Sequence, residues 1–164
     1  MVPEITKILY ATDLSDNARY AFSYAASLAD RYDAQVTVLH VLEDVSTAFN
    51  THISGYLGEQ AWAQLQVEKE SALLDTITER LNEFCNEARE EMSACKFIVE
   101  KILAVKGVPA EEILNQADAN DADMIVMGTH GYGVFKDALM GGTARRVVRR
   151  SEKPVMVVRL PSDD

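Results

Sequence analysis

Lys7 to Thr12 is a short apolar, β-rich run, and the polar group Asp13-Leu-Ser-Asp16 ends it. A different period follows at once. Ala18, Ala21, Ala25, Leu28, Ala29 and Tyr32 recur at the spacing of one helical face, and Ser15 stands where an N-cap belongs. Gln35 to Leu42 (QVTVLHVL) is apolar along most of its length, the pattern of a strand covered on both faces. The first third therefore predicts β-α-β, a parallel pair joined by a right-handed crossover. Residues 43 to 56 carry no strong pattern and read as a polar loop. From about Tyr56 to Met92 the helical period returns, marked by Leu57, Ala61 and Leu65, then by Leu74, Ile77, Leu81, Phe84, Ala88 and Met92. A straight helix of that length spans roughly 50 Å, more than a small sheet, so a bend, a break or a projecting first part is expected.

Phe97 to Val105 predicts a third strand, broken by Gly107-Val-Pro109. Pro109 suits the first turn of a helix through Ile113, Leu114 and Ala117. Met124 to Met127 reads as a short buried strand, and it runs into Gly128-Thr-His-Gly131. A last helix is expected over about Thr143 to Arg150, and after Pro154 a last strand over Val155 to Arg159. Strands and helices alternate throughout, which predicts an α/β fold: an open sheet of five mostly parallel strands with helices on both faces. No repeat, linker or low-complexity tract divides the chain, so residues 1–164 are expected to form one domain.

Composition narrows the function. The formal net charge of −10 argues against affinity for DNA, RNA or an anionic membrane surface. Any anionic ligand must then be held by local donors that outweigh a repulsive field. Cys85 and Cys95 have neither CxxC spacing nor a neighbouring histidine, so they read as reduced thiols rather than a zinc site. The N-terminus lacks the pattern of a signal peptide, and no apolar run approaches the ~20 residues of a membrane helix. A soluble, cytoplasmic protein is expected.

The stretch richest in chemistry runs from Met127 to Ala144. Glycines stand at 128, 131 and 133 after a buried strand, and at 141 and 142 before a helix. Glycine lets the backbone approach a bulky anion, and a helix start adds unpaired N–H groups and a positive dipole end. Thr143 adds a hydroxyl, and Lys136, Arg145 and Arg146 place cations nearby. The loop is neither a Walker A sequence nor the dinucleotide fingerprint. On pattern alone it is either an anion cradle or a glycine-rich connection shaped by packing.

Spacing and order add a resemblance. Gly128-x-x-Gly131, nine residues, then Gly141, a helix and Pro154-Val-x-Val-Val158 resemble the ATP-binding signature of the universal stress protein family. Lys7-Ile-Leu-Tyr-Ala-Thr-Asp13-Leu-Ser15, Val38-Leu-His-Val41 and Gly107-x-Pro109-Ala-Glu-Glu-Ile113 resemble its opening and middle. The resemblance implies a flavodoxin-like sheet, also described as adenine nucleotide alpha hydrolase-like, of strand order 3-2-1-4-5. It implies an adenine nucleotide as ligand, ATP with AMP or ADP as alternatives, with Mg²⁺ or Mn²⁺ as the accompanying ion. By position it places the site on Ala11, Thr12 and Asp13, on Val41, and on Met127, Gly128, His130, Gly131 and Gly133. Gly141, Gly142, Thr143 and Ala144 complete it. Asp13 and the Val41 backbone would meet adenosine, and Gly128, His130, Gly131 and Gly141 the ribose and phosphates. A homodimer through residues 155–159 is implied as well. The sequence departs from the signature at Gly142, where the family usually offers a serine or threonine hydroxyl.

Plainer readings stand beside these. Asp13 also suits a turn or helix cap, His130 a turn, and Glu43 and Asp44 a solvated turn. His40 reads as a hydrogen-bonded core histidine, His52 as an exposed loop residue, and Glu87, Glu90 and Glu91 as a solvated helix face. No nucleophile elbow, Cys–His pair or metal-ligand set marks catalysis. The expected role is a nucleotide-binding sensor without catalytic or metal-ligating residues. A weak ATPase on the same site and a nucleotide-free interaction protein are its rivals.

Overall fold

A computed structural model describes residues 1–15, 18–43, 58–129 and 140–159. The strands are β1 (Lys7–Ala11), β2 (Gln35–Leu42), β3 (Ile98–Lys106), β4 (Met124–Gly128) and β5 (Val155–Val158). The helices are α1 (Ala18–Tyr32), α2 (Glu59–Glu91), α3 (Pro109–Ala119) and α4 (Gly142–Arg150). The sheet has the order β3-β2-β1-β4-β5 and every pairing is parallel, so the expected architecture and strand order are those observed.

Alternation along each strand divides the core into two layers. Ile8 and Tyr10, Val36 and Val38, and Met124 and Val126 face α1 and α2. Leu9, Leu39, Ile125 and Met127 face α3 and α4. With apolar residues on both faces, β1, β2 and β4 are nearly continuous hydrophobic runs. In the first layer Phe22 gathers Tyr10, Phe84 and Phe97 at ring-centroid distances of 5.1, 5.3 and 5.5 Å.

Several details differ from the sequence reading. α1 buries Phe22 and Ala26 beside the expected alanines, whereas Tyr32 is 49% exposed. Ser15 leads into α1 through its backbone, its carbonyl accepting the Ala18 N–H at 3.0 Å. Helix α2 is continuous over 33 residues, so of the bend, break or projecting first part that its length suggested, the break is absent. It contains neither glycine nor proline, so nothing interrupts its hydrogen bonds. Its buried residues, Ile77, Leu81, Cys85 and Ala88, all lie in the second half. Strand β3 starts one residue late, at Ile98, with Phe97 just before it in the aromatic cluster, and a register shift beside Val36 and Thr37 falls where Glu100 and Lys101 are both exposed. Strand β4 runs on to Gly128, β5 stops at Val158, and α4 begins at Gly142 rather than Thr143.

Candidate functional site

A cavity of about 460 Å³ opens at the carboxyl ends of the strands. Its centre is the gap between β1 and β4, where successive connections leave the sheet in opposite directions; crevices at such points hold the ligands of open α/β sheets. Each wall follows from a local feature of the sequence.

The β1 wall consists of Ala11, Thr12 and Asp13. The Thr12 N–H continues the ladder to the Leu39 carbonyl at 2.8 Å. Beyond it the chain turns sharply. The Leu14 N–H reaches Thr12 Oγ1 at 3.0 Å, the Ser15 N–H reaches Asp13 Oδ1 at 2.9 Å, and Leu14 takes φ 61°. Such side-chain-to-backbone bonds supply the turn that strand hydrogen bonds no longer provide. Asp13 thus fills the turn role that its sequence position suggested and also lies on the cavity, exposed to solvent. Beneath this wall the Tyr10 hydroxyl donates to the Ala18 carbonyl at 2.6 Å. Burial pushes the Tyr10 phenol well above its usual range, so it remains a neutral donor.

The β2 wall carries Val41 together with His40 and Glu43, neither of which the sequence reading placed in the site. His40 is half-buried, and its Nδ1 lies 2.8 Å from the Thr12 carbonyl. A carbonyl only accepts, so Nδ1 carries the proton, and the bond ties the end of β2 to the β1 turn. Glu43 is exposed, as a solvated turn residue would be, yet it stands on the cavity rim. The sequence signal for both was their place at the end of a strand next to β1.

The β4 wall consists of Met127, Gly128 and Thr129. The Thr129 N–H donates to the Val158 carbonyl at 3.0 Å, and its own carbonyl accepts the Gly141 N–H at 2.6 Å. The two ends of the glycine-rich stretch are therefore clamped together at the crevice. His130, Gly131, Gly133 and Lys136 lie outside the described residues.

Gly141, Gly142, Thr143 and Ala144 bring the start of α4 to the same cavity. Gly141 is the N-cap, and no side chain caps the helix. The first α4 bond beyond the cap runs from the Arg145 N–H to the Gly141 carbonyl at 3.0 Å. The N–H groups of residues 142–144 thus form the open first turn, where donors and the positive dipole end point outward. Arg145 and Arg146 are exposed and stand off the cavity lining. At the mouth of α3, Gly107 holds φ 155° and donates its N–H to the Leu42 carbonyl at 2.9 Å, which sets Pro109 on the cavity wall.

The charges are arranged asymmetrically. Asp13 and Glu43, on the β1 and β2 side, are the carboxylates among the described lining residues, and no lysine or arginine is among them. Donors without formal charge gather on the α4 side. A ligand that suits both sides offers hydroxyl or amino groups to one and negative oxygens to the other. No group of three or more His, Cys, Asp or Glu side chains among the described residues forms a metal site, and none of their helices is long and apolar enough to cross a membrane.

Comparison with known proteins bears on the family and the fold. Residues 4–159 match the model of the universal stress protein family. The universal stress protein MJ0577 of Methanocaldococcus jannaschii is 31% identical over 153 residues, 93% of this chain and 94% of that protein. The solved structure of MJ0577, a hypothetical protein whose biochemical function was assigned from its structure, superposes with a TM-score of 0.71 at 27% identity, covering 98% and 100% of the two chains. The fold is also shared with a universal stress protein in complex with cAMP (21% identity, TM-score 0.59, 96% and 98% covered). Another in complex with dAMP, from Archaeoglobus fulgidus, shares it too (23% identity, TM-score 0.53, 96% and 98% covered). With the match running through every strand of the sheet and both sides of the cavity, the chain belongs to the universal stress protein family.

Proposed function

We propose that this protein binds an adenine nucleotide, ATP or its AMP and ADP forms, in the cavity between β1 and β4 and acts as a cytoplasmic nucleotide-sensing module. One observation carries the reading: ten of the thirteen positions that sequence resemblance assigns to the site line a single cavity, and the other three lie outside the described residues. A volume of about 460 Å³ falls within the range of small-molecule sites. The carboxylates of Asp13 and Glu43 suit ribose hydroxyls or the adenine amino group, and the open first turn of α4 suits phosphate oxygens. Main-chain donors thus solve the problem set by a molecule of net charge −10. The cAMP and dAMP complexes of related proteins support the adenine class of ligand. A divalent ion, Mg²⁺ or Mn²⁺, would rest on the phosphates, with Asp13 reaching it through water.

Titration calorimetry with AMP, ADP and ATP, with and without Mg²⁺, tests the reading. The expected result is saturable binding of at least one of them, weakened roughly tenfold or more by Asp13→Ala, which removes a charged acceptor from the cavity. Failure of all three to bind at about millimolar concentration, a Kd weaker than about −4 kcal/mol of binding energy, overturns it. We further propose that two copies pair through β5, an edge strand of the sheet.

A further inference from the structure

Helix α4 presents a second surface, unrelated to the cavity. Arg145, Arg146, Arg149 and Arg150 are four of the chain's sixteen Lys and Arg residues, set within six positions, and all four are exposed. At about 100° per residue they fall within an arc of about 140°, directly opposite buried Ala144 and Val147. This is one continuous arginine face on a strongly acidic molecule.

Local physics does not account for it. Arg145 with Arg149, and Arg146 with Arg150, are like-charge pairs one turn apart, which weaken a helix. Arg145 and Arg146 also stand near the positive end of the helix dipole, where an acidic residue would be favourable, and the first turn contains none. Among the described residues one ion pair reaches this face, Arg150 Nη1 to Glu111 Oε1 at 3.9 Å. Arg149 and Arg150 suit the negative end of the dipole, but Arg145 and Arg146 do not. Among the described residues the Glu111 contact is the one ion pair that offsets four clustered charges, which points to a partner outside the fold.

We propose that the arginine face of α4 is a docking surface for an acidic protein segment carrying carboxylates one helical turn apart. Arginine, with its planar fork of donors, is suited to bidentate pairing with carboxylates. Val148, 45% exposed, lies on the flank of the face and offers an apolar contact that a protein chain can use. The patch is short, and among the described residues acids adjoin it: Glu111 at one side, Glu152 just beyond its end, and Asp118 nearby, paired with Lys153 at 3.7 Å. A long nucleic acid would have to run on across that acidic surface, whereas a short acidic segment fits within the patch. Because the first turn of α4 lines the cavity, the two surfaces share one rigid helix.

The test is fluorescence anisotropy with a labelled peptide of paired glutamates spaced one helical turn apart, beside its glutamine counterpart and a single-stranded oligothymidylate of equal charge. The glutamate peptide is expected to bind at low ionic strength and to weaken steeply with added salt, as exposed charge pairs do. The combined substitution Arg145→Gln, Arg146→Gln, Arg149→Gln and Arg150→Gln should weaken it roughly tenfold or more, with ATP affinity unchanged. Its melting temperature should hold or rise, since like charges are removed; if the fourfold variant fails to fold, Arg145→Gln with Arg146→Gln gives the same reading with a smaller loss. Four results overturn the proposal. These are absent binding of the glutamate peptide, equal binding of the glutamine peptide, tighter binding of oligothymidylate, and a variant that alters the mass of the protein's own assembly while leaving peptide affinity unchanged.

Discussion

At the end of the sheet away from the cavity, Asp123 Oδ2 accepts the N–H groups of Thr6 and Lys7 at 2.8 and 2.9 Å, and the Thr6 hydroxyl at 3.1 Å. Burial works against its ionisation, but these donors and the nearby Lys153 charge outweigh that, and the carboxyl is held below the usual range. Asp123 therefore stays ionised to lower pH in the folded chain than in the unfolded one. Its stabilisation is complete above the ordinary carboxylate pKa of about 3.9 and disappears as pH falls through the lower folded value. Asp123→Ala should cost about 1 kcal/mol at pH 7, after allowance for solvent screening, and the gap to the parent should close in acid; urea melts at several pH values would read this. Gly142 shows the opposite case, a group that is missing. A Cβ there would meet nothing within 4 Å, so the side chain absent from the signature has room. Gly142→Ser should tighten nucleotide binding by roughly tenfold, one hydrogen bond to a charged oxygen, as measured by calorimetry. The places of Asp13 and Gly142 on the cavity were legible in the sequence through the family resemblance. His40 and Glu43 were not, because a histidine in an apolar strand and an acid in a turn look alike whether or not a cavity adjoins them.

Helix α2 shows how far hydrophobic period alone reaches at the level of an element. Its 33 residues were recognised, as was the excess of its length over the sheet. The absence of glycine and proline, equally visible in the sequence, was the evidence for one continuous helix. Period could not show which half would be covered. Leu81 is fully buried among the aromatic cluster's neighbours, whereas Val67 is 66% exposed and Leu73 47%. Glu70 bonds Lys106 at the end of β3 at 2.9 Å, and the buried positions begin only beyond it, at Ile77. The two halves should respond differently to truncation of their side chains. Leu81→Ala is expected to cost about 2–5 kcal/mol, the range for a cavity in a packed core. Val67→Ala should stay within about 0.5 kcal/mol, as surface changes do. Equal losses in thermal unfolding would mean that the first half of α2 is covered in solution.

At the scale of the molecule, parallel pairing follows from rules that the sequence already obeys, whereas strand order does not. Alternating strands and helices demand parallel pairing and right-handed crossovers, and the family resemblance supplied the order β3-β2-β1-β4-β5. Assembly is less legible, because an apolar edge strand reads the same whether a second copy or solvent lies beside it. Here the hydrogen-bond register makes the question testable. The carbonyls of Pro154 and Val158 accept from Ile125 of β4 and from Thr129 just beyond it, at 2.9 and 3.0 Å. In a strand, the N–H and C=O of one residue point to the same side, and successive residues alternate. Residues 154, 156 and 158 therefore face β4, and Val155 and Val157 turn their main-chain groups to the open edge. Proline at 157 removes a donor that β4 does not use, the one position type at which an edge strand tolerates it. Val157→Pro should leave the far-ultraviolet spectrum and nucleotide binding in place while converting the proposed dimer to monomer in light scattering. A variant that keeps the parent's mass would show that β5 is not the surface through which two copies meet, because edge-to-edge pairing cannot survive the loss of that N–H and the ring set in its place.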